Sequence, residues 1–187
     1  MTGVTQLVQN YRFSASEFVR AWEAGAFDRH VELVEGEVWP VVIGGWHGRT
    51  VGTIIARLQH PGAVITTATL PAGESLTDPD CWLVRDGAQP IGMVGSRVEV
   101  WAPADVLLVV EVSDATVLAD LTTKARLYGS AGYPVYWVVT EDVVYEHTEP
   151  KDGGFASRRE YTRGERIPLR HAGSDVGVDD ILGPVAP

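Results

Sequence analysis

Three charged residues in this chain stand where their types and spacing could do chemistry. Asp80, in TDPDCWLV, opens one apolar run, and Glu111, in ADVLLVVEVSD, closes another. Six of the seven residues from Val106 to Val112 are Val or Leu, the pattern of a strand covered on both faces of a sheet. A carboxylate on such a strand is unfavourable unless it is paired, protonated or bound to a metal. Glu111 therefore demands a partner. Two carboxylates at the mouths of neighbouring strands suit a hard divalent cation such as Mg2+, which takes oxygen ligands and keeps several waters. Lys124 follows Leu121 by three residues and precedes Tyr128 by four, which sets it beside the apolar face of a helix. A lysine there supplies the charge that phosphodiester hydrolysis uses to orient an attacking water and to stabilise the transition state. Asp120, one turn earlier, is placed to tether the ammonium. At the edge of a helix, Lys124→Ala is expected to cost little stability, since alanine is the better helix former.

The elements that must position these residues can be read in order. Residues 14–28 start with Ser14 and carry Glu17 three positions later, a capping box, with Phe18 and Trp22 at helical spacing. VELVEGEVWPVV gives two apolar stretches around Glu35-Gly36, which predicts a hairpin with Glu32 and Glu37 close together across the pair. Val51, Ile54, Ile55 and Leu58 predict an amphipathic helix from Arg49 to Gln59, ended by Pro61-Gly62. Three strand candidates follow, AVITTATL, DCWLV and ADVLLVVEV, with a Gly/Pro-rich loop or marginal hairpin before the last. Leu118, Leu121, Ala125 and Tyr128 share one helical face, Gly132 can stop that helix, and YPVYWVVT is another strand. Residues 47–140 thus read as αβββαβ, a mixed central sheet flanked by helices. The rest alternates like antiparallel edge strands around EPKDGG and closes on VGVDDILG. No repeat or linker divides the chain, so one domain over 1–187 is expected, with 1–10 flexible.

Composition bounds the partners. The chain has 187 residues, 45% of them apolar, enough for a sizeable core. A formal charge of -10 disfavours bulk electrostatic coating of nucleic acid or anionic membrane. Charge is unevenly spread, however. Residues 71–120 hold nine acids and two arginines, whereas 151–170 hold six basic residues and three acids. Arg158 and Arg159 are therefore candidate phosphate contacts, against the alternative of a charged, solvated pair of edge strands. The single cysteine, Cys81, allows no internal disulfide. No apolar run approaches the roughly 20 residues needed to span a bilayer, and the N-terminus lacks a secretory pattern. A soluble, cytoplasmic protein is expected.

TDPDCWLV, LLVVEVSDAT, ADLTTKARLYGSAGYPVYW and VELVEGEV together resemble the restriction-endonuclease-like superfamily with the PD-(D/E)XK motif. More narrowly, they resemble its large bacterial family of mostly uncharacterised endonucleases, in order over roughly residues 11–182. The resemblance implies that Asp80 is the motif aspartate and Glu111 its acidic partner, both holding Mg2+ or Mn2+. The position two residues after Glu111 is Ser113, not lysine, and the displaced lysine corresponds to Lys124. The hairpin glutamate corresponds to Glu32, with Glu37 the second choice. The helix after the hairpin, HGRTVGTIIARLQH, lacks the acid that many superfamily members carry there. His47, at its start, could face the site. Nucleic acid is the implied substrate and a homodimer the implied assembly.

Blander readings stand beside these. Asp80 could be a turn aspartate opening a strand, Glu111 could pair with Arg126, and Lys124 could be a solvated helix lysine. Glu32 and Glu37 could be exposed hairpin charges. The other histidines follow no metal-ligand spacing, and no nucleophile elbow or Gly-rich phosphate loop is present. Two functions follow: a metal-dependent endonuclease, or a catalytically silent module of the same fold that binds a partner.

Overall fold

The structure, a computed structural model, describes residues 10–41 and 44–183. The expected flexible segment 1–10 lies, but for Asn10, outside the described residues. The chain begins with α1 (Ala15–Glu23), where Ser14 and Glu17 form the reciprocal capping box. It continues as the hairpin β1 (Val31–Val34) and β2 (Glu37–Pro40), then α2 (Gly45–Arg57). Glu35 and Gly36 both have positive φ, 51° and 83°, the two-residue turn whose twist matches a hairpin.

Next come β3 (Ala63–Thr66), β4 (Leu70–Ala72), β5 (Ser75–Thr77) and β6 (Cys81–Arg85). The stretch AVITTATL is thus not one strand. It breaks after Thr66, and β4 leaves to pair with β5 in a second, four-stranded sheet of order β2-β1-β5-β4. The Gly/Pro-rich segment forms the small hairpin β7 (Gly92–Val94) and β8 (Val98–Val100). It leads into β9 (Val106–Val112).

Residues 117–130 run on as one helix in three pieces: α3 (Val117–Ala119), a π-helical turn (Asp120–Lys124) and α4 (Ala125–Ser130). In the wide turn the Ala125 N–H reaches back to the Asp120 carbonyl, which also accepts from the Tyr136 hydroxyl at 3.2 Å. The chain ends in β10 (Val135–Val139), β11 (Val143–Lys151), β12 (Gly154–Thr162), β13 (Arg166–Leu169), β14 (Ser174–Gly177) and α5 (Val178–Leu182).

The central sheet has the order β12-β11-β10-β9-β6-β3. The β9–β10 pair is parallel and its other pairs are antiparallel. The 117–130 helix is the crossover that a parallel pair requires. Because strand side chains alternate between faces, the sheet feeds two cores. Cys81, Leu83, Leu108, Val110 and Val112 pack with Ile54 and Leu58 of α2 and Ile181 and Leu182 of α5. Trp82, Val109, Tyr136 and Val138 pack on the other face with Ala125, Leu127 and Tyr128 of the crossover helix. That helix sits so close to β12 that a Cβ on Gly129 would lie 2.1 Å from the Gly154 carbonyl oxygen. The architecture is a mixed α/β fold with a central mixed sheet, as the resemblance implies. No helix among the described residues is long and apolar enough to cross a membrane.

The sheet also contains a pH-sensitive element. His147 of β11 is buried against Tyr136 and Phe155, with ring centroids 5.5 Å and 5.7 Å away, and its Nδ1 has no partner among the described residues. Burial, aided by the Arg158 cation, pushes its pKa down from 6.5 to about 4. A folded-state pKa below the unfolded value means the unfolded chain takes the proton first. Stability is therefore full above pH 6.5 and falls as pH drops toward about 4. His147→Gln should remove part of this acid sensitivity, visible as a smaller difference between urea midpoints measured at either end of that window.

Candidate active site

Strand register assembles the acidic pair. Cys81 of β6 is opposite Val110 of β9, so Asp80 and Glu111 stand opposite each other one step further on. Both project to the face covered by the crossover helix, like Trp82 and Val109. Asp80 is held in place on both oxygens: Oδ2 accepts from the Val112 N–H at 2.6 Å, and Oδ1 lies 2.9 Å from His47 Nε2 at the start of α2. Burial raises the Asp80 pKa, against the lowering influence of that N–H, His47 and Lys124.

Glu111 is 5% exposed and Lys124 is 7% exposed. The lysine Nζ lies 2.9 Å from Glu111 Oε1, 3.0 Å from Glu32 Oε1 and 3.8 Å from Asp120 Oδ1. Burial opposes its charge, but Glu111, Glu32 and Asp120 overcome that opposition and raise its pKa above the ordinary lysine value. The ammonium stays charged. Glu111 moves the same way for a different reason: burial, with Asp120, Asp80 and Glu32 nearby, outweighs the attraction of Lys124 and raises its pKa well above the usual carboxylate range.

These placements correct three readings of the sequence. Lys124 is buried among carboxylates, so it is neither a solvated helix lysine nor one whose removal leaves stability untouched. Glu37 is not beside Glu32. It pairs with Val34, whereas Glu32 is opposite Trp39, and its exposed carboxylate binds Arg12 at 2.8 Å. The alternative partner for Glu111, Arg126, instead lies 2.6 Å from Glu35.

A supporting layer escaped the sequence reading. Ser113, at the position where the motif expects lysine, donates to Asp120 Oδ2 at 2.6 Å, and Thr116 donates to the same oxygen at 2.7 Å. The carboxylate so anchored faces its other oxygen toward the lysine of the next turn. The Tyr128 hydroxyl lies 3.0 Å from both Glu111 Oε1 and Thr77 Oγ1. Glu32 Oε2 accepts from the Asp78 N–H at 3.2 Å, and Asp78 Oδ2 lies 2.7 Å from His30 Nε2. Of these, Asp78 alone had a local signal, being the other acid of the TDPD turn. The hydroxyl residues have no periodicity that marks them.

Glu32, His47, Asp78, Asp80, Glu111 and Lys124 line a pocket of about 200 Å³, with Ser113, Asp120 and Tyr128 behind its wall. Among the described residues no group of three or more His, Cys, Asp or Glu side chains is drawn together tightly enough to hold a metal ion as it stands. The donor chemistry nevertheless fits a hard divalent cation, since two carboxylates face each other across neighbouring strands. Lys124 supplies the positive charge those carboxylates need. Arg158 and Arg159 do not line this pocket. They are consecutive on β12, hence on opposite faces of the strand. Arg158 lies over Tyr145 at 5.6 Å and Arg159 over Tyr161 at 4.5 Å.

Comparison with known proteins agrees with this architecture. A chain from Anabaena variabilis described as a "putative nuclease" superposes with a TM-score of 0.65, covering 91% of this chain and 97% of that one at 14% identity. At that identity the likeness is one of fold. A search of curated proteins found no significant match. A family model described as "Putative restriction endonuclease", Uma2, matches residues 15–176. With that match spanning the helix-hairpin, the acidic strand pair and the lysine-bearing crossover helix, the chain belongs to the Uma2 family of the restriction-endonuclease-like superfamily.

Proposed function

We propose that the protein is a metal-dependent endonuclease that hydrolyses phosphodiester bonds of nucleic acid. The observation that carries the reading is the buried lysine held between Glu111 and Glu32, beside Asp80, on the wall of an open pocket. Asp80 and Glu111 would hold Mg2+ or Mn2+. When bound, such a cation polarises the phosphate and makes the attacking water more acidic. The chain's own groups do the rest. Lys124, kept charged by its carboxylate neighbours, orients the water and opposes the negative charge that develops on the phosphoryl oxygens. Glu32 accepts from the Asp78 N–H through Oε2 and meets Lys124 Nζ at 3.0 Å through Oε1, so a proton taken from that water, or an added ligand bond, would come at Oε1 beside the ammonium. His47, against Asp80 Oδ1, fixes the orientation of that carboxylate.

A second reading is favoured by one observation, that Lys124 already satisfies the acids electrostatically. On it the pocket is silent and the fold binds a partner. The test is cleavage of single- and double-stranded DNA and RNA by the purified protein with Mn2+. We expect cleavage by wild type and none by Asp80→Asn, and an inert wild-type protein would favour the silent module.

A polyanion needs a cationic surface, and β12 is where this acidic chain could offer one. Since Arg158 and Arg159 face opposite ways, a bound nucleic acid should touch only one of them. One of the two alanine variants should reduce the log–log salt slope of binding by about 0.9 per lost phosphate contact and the other should leave it unchanged. If neither slope moves, the strand is bound elsewhere.

A further inference from the structure

A second and larger space opens on the other side of the TDPD turn. It has a volume of about 410 Å³, within the range of small-molecule sites. Three of the chain's six tryptophans line it: Trp22 at the end of α1, Trp82 in β6 and Trp101 after β8. Asp78 lines both this space and the pocket that holds Asp80. Two residues of chain span at most about 7 Å. A phosphate at Asp80 would therefore leave the next nucleoside of its strand at the mouth of the tryptophan pocket.

The walls select what could enter. Trp82 and Trp101 meet edge to face with centroids 5.9 Å apart, and the Trp82 indole N–H is tied to the Ala68 carbonyl at 2.7 Å. Trp22 is 38% exposed, with the Arg97 guanidinium over its ring at 5.7 Å. Asp78 and Glu99 line the same space. Two carboxylates stand against one arginine and one histidine, His30, whose Nε2 is already engaged by Asp78 Oδ2 at 2.7 Å, which makes it a poor receptor for a phosphate. Aromatic faces with hydrogen-bond acceptors suit a nucleobase, which stacks on indole and offers amino groups to carboxylates. Two wall residues carry unmet demands as well. Trp101 Nε1, a donor, and Asp78 Oδ1, an acceptor, are buried without a hydrogen-bond partner among the described residues, a costly condition for polar groups.

We propose that this pocket holds an unstacked nucleobase of the strand whose phosphate lies at Asp80. The inference rests on the endonuclease reading and narrows its substrate to single-stranded or locally opened nucleic acid, because a base in a duplex stack cannot reach the indoles. On binding, the base plane takes the place of the Arg97 guanidinium over Trp22, and side-chain rotation brings Asp78 and Trp101 to the base edge.

The test uses the full chain carrying Asp80→Asn, so that no substrate is consumed. Its affinity is measured for a short single-stranded DNA of mixed adenine and cytosine and for an abasic strand of the same length. The base-bearing strand should bind about five- to hundredfold more tightly, the worth of one stacked base. Adding Trp22→Ala should erase that difference while Trp22→Phe keeps most of it, with thermal melts confirming that both variants fold. Equal binding of the two strands, or a difference that survives Trp22→Ala, overturns the base pocket. Cleavage by the wild-type protein, measured in parallel, separates the two readings: cleavage with base-independent binding sinks this inference alone, whereas neither cleavage nor binding of any strand sinks both.

Discussion

Lys124→Ala should unfold far more easily than wild type at neutral pH and lose about a hundred- to thousandfold in cleavage rate. The stability loss follows from burial. Nζ lies within 3.0 Å of both Glu111 and Glu32 and 3.8 Å from Asp120, and removing it strands these acids in a place water hardly reaches. Breaking a buried pair in this way costs about 3–5 kcal/mol, a large part of the roughly 5–15 kcal/mol that holds a typical domain together. Alanine's better helix propensity is small beside that. The pH dependence identifies the cause. Glu111 already has a pKa raised above 4.5 by burial, and loss of the cation raises it further. A carboxyl with a raised folded-state pKa contributes stability that is present below its unfolded value and lost as pH rises through the folded value. The deficit of Lys124→Ala relative to wild type should therefore grow as pH rises above the ordinary carboxylate range. Glu32→Gln in the same protein should recover part of it by removing one stranded charge. Urea melts of the four proteins of this cycle decide the matter. Additive losses would mean that Lys124 and Glu32 do not act on one another.

The second large effect is the linkage of a divalent cation to folding. The unfolded chain cannot bring Asp80 and Glu111 together, so a cation binding them stabilises the folded state by about 2.7 kcal/mol at a hundredfold excess over Kd. For a chain of this size that is a rise in Tm of roughly 5–10 °C. Both carboxyls have raised pKa values, so protons compete with the metal. The gain should increase as pH rises and the competing proton is lost. Asp80→Asn removes a buried charge and so should not weaken the metal-free protein, yet it should abolish most of the metal-induced shift. Thermal melts with Mn2+ and with EDTA, at several pH values, provide the measurement. Equal shifts in wild type and Asp80→Asn would remove Asp80 from the ligand set.

Much of the fold could be read from the sequence because its signals are local and periodic. The α2 stripe of Ile54 and Leu58, the Ser14–Glu17 capping box, the Glu35-Gly36 turn and the aliphatic run of β9 around Glu111 all appear where patterning puts them. The β4–β5 hairpin was not legible, since three-residue strands interrupted by Pro71 carry no period. In the site, the positions of Asp80 and Glu111 follow from strand ends. The burial of Lys124 does not, because a lysine reads as solvated until the charges around it are known, and these come from β1, β9 and its own helix. Glu37 was misplaced although the turn was read correctly, since a two-residue Glu35-Gly36 turn sets Glu37 opposite Val34 and Glu32 opposite Trp39. Ser113, Thr116 and Thr77 are small hydroxyl residues whose partners lie in other turns or strands.

The π-helical turn at Asp120–Lys124 makes the site digital rather than elastic. Asp120 and Lys124 both face inward, with Nζ 3.8 Å from Asp120 Oδ1, and the extra residue that the wide turn accommodates sets which face the chain before it presents to the helix after it. Excising a single residue from this turn would leave a continuous helix while rotating everything before it by about 100° relative to Lys124. The carboxylate of Asp120, anchored by Ser113 and Thr116, would then no longer face Lys124. The residues of the turn can consequently be exchanged one by one, but its length changes only in a single step, and the anchoring of the lysine goes with it.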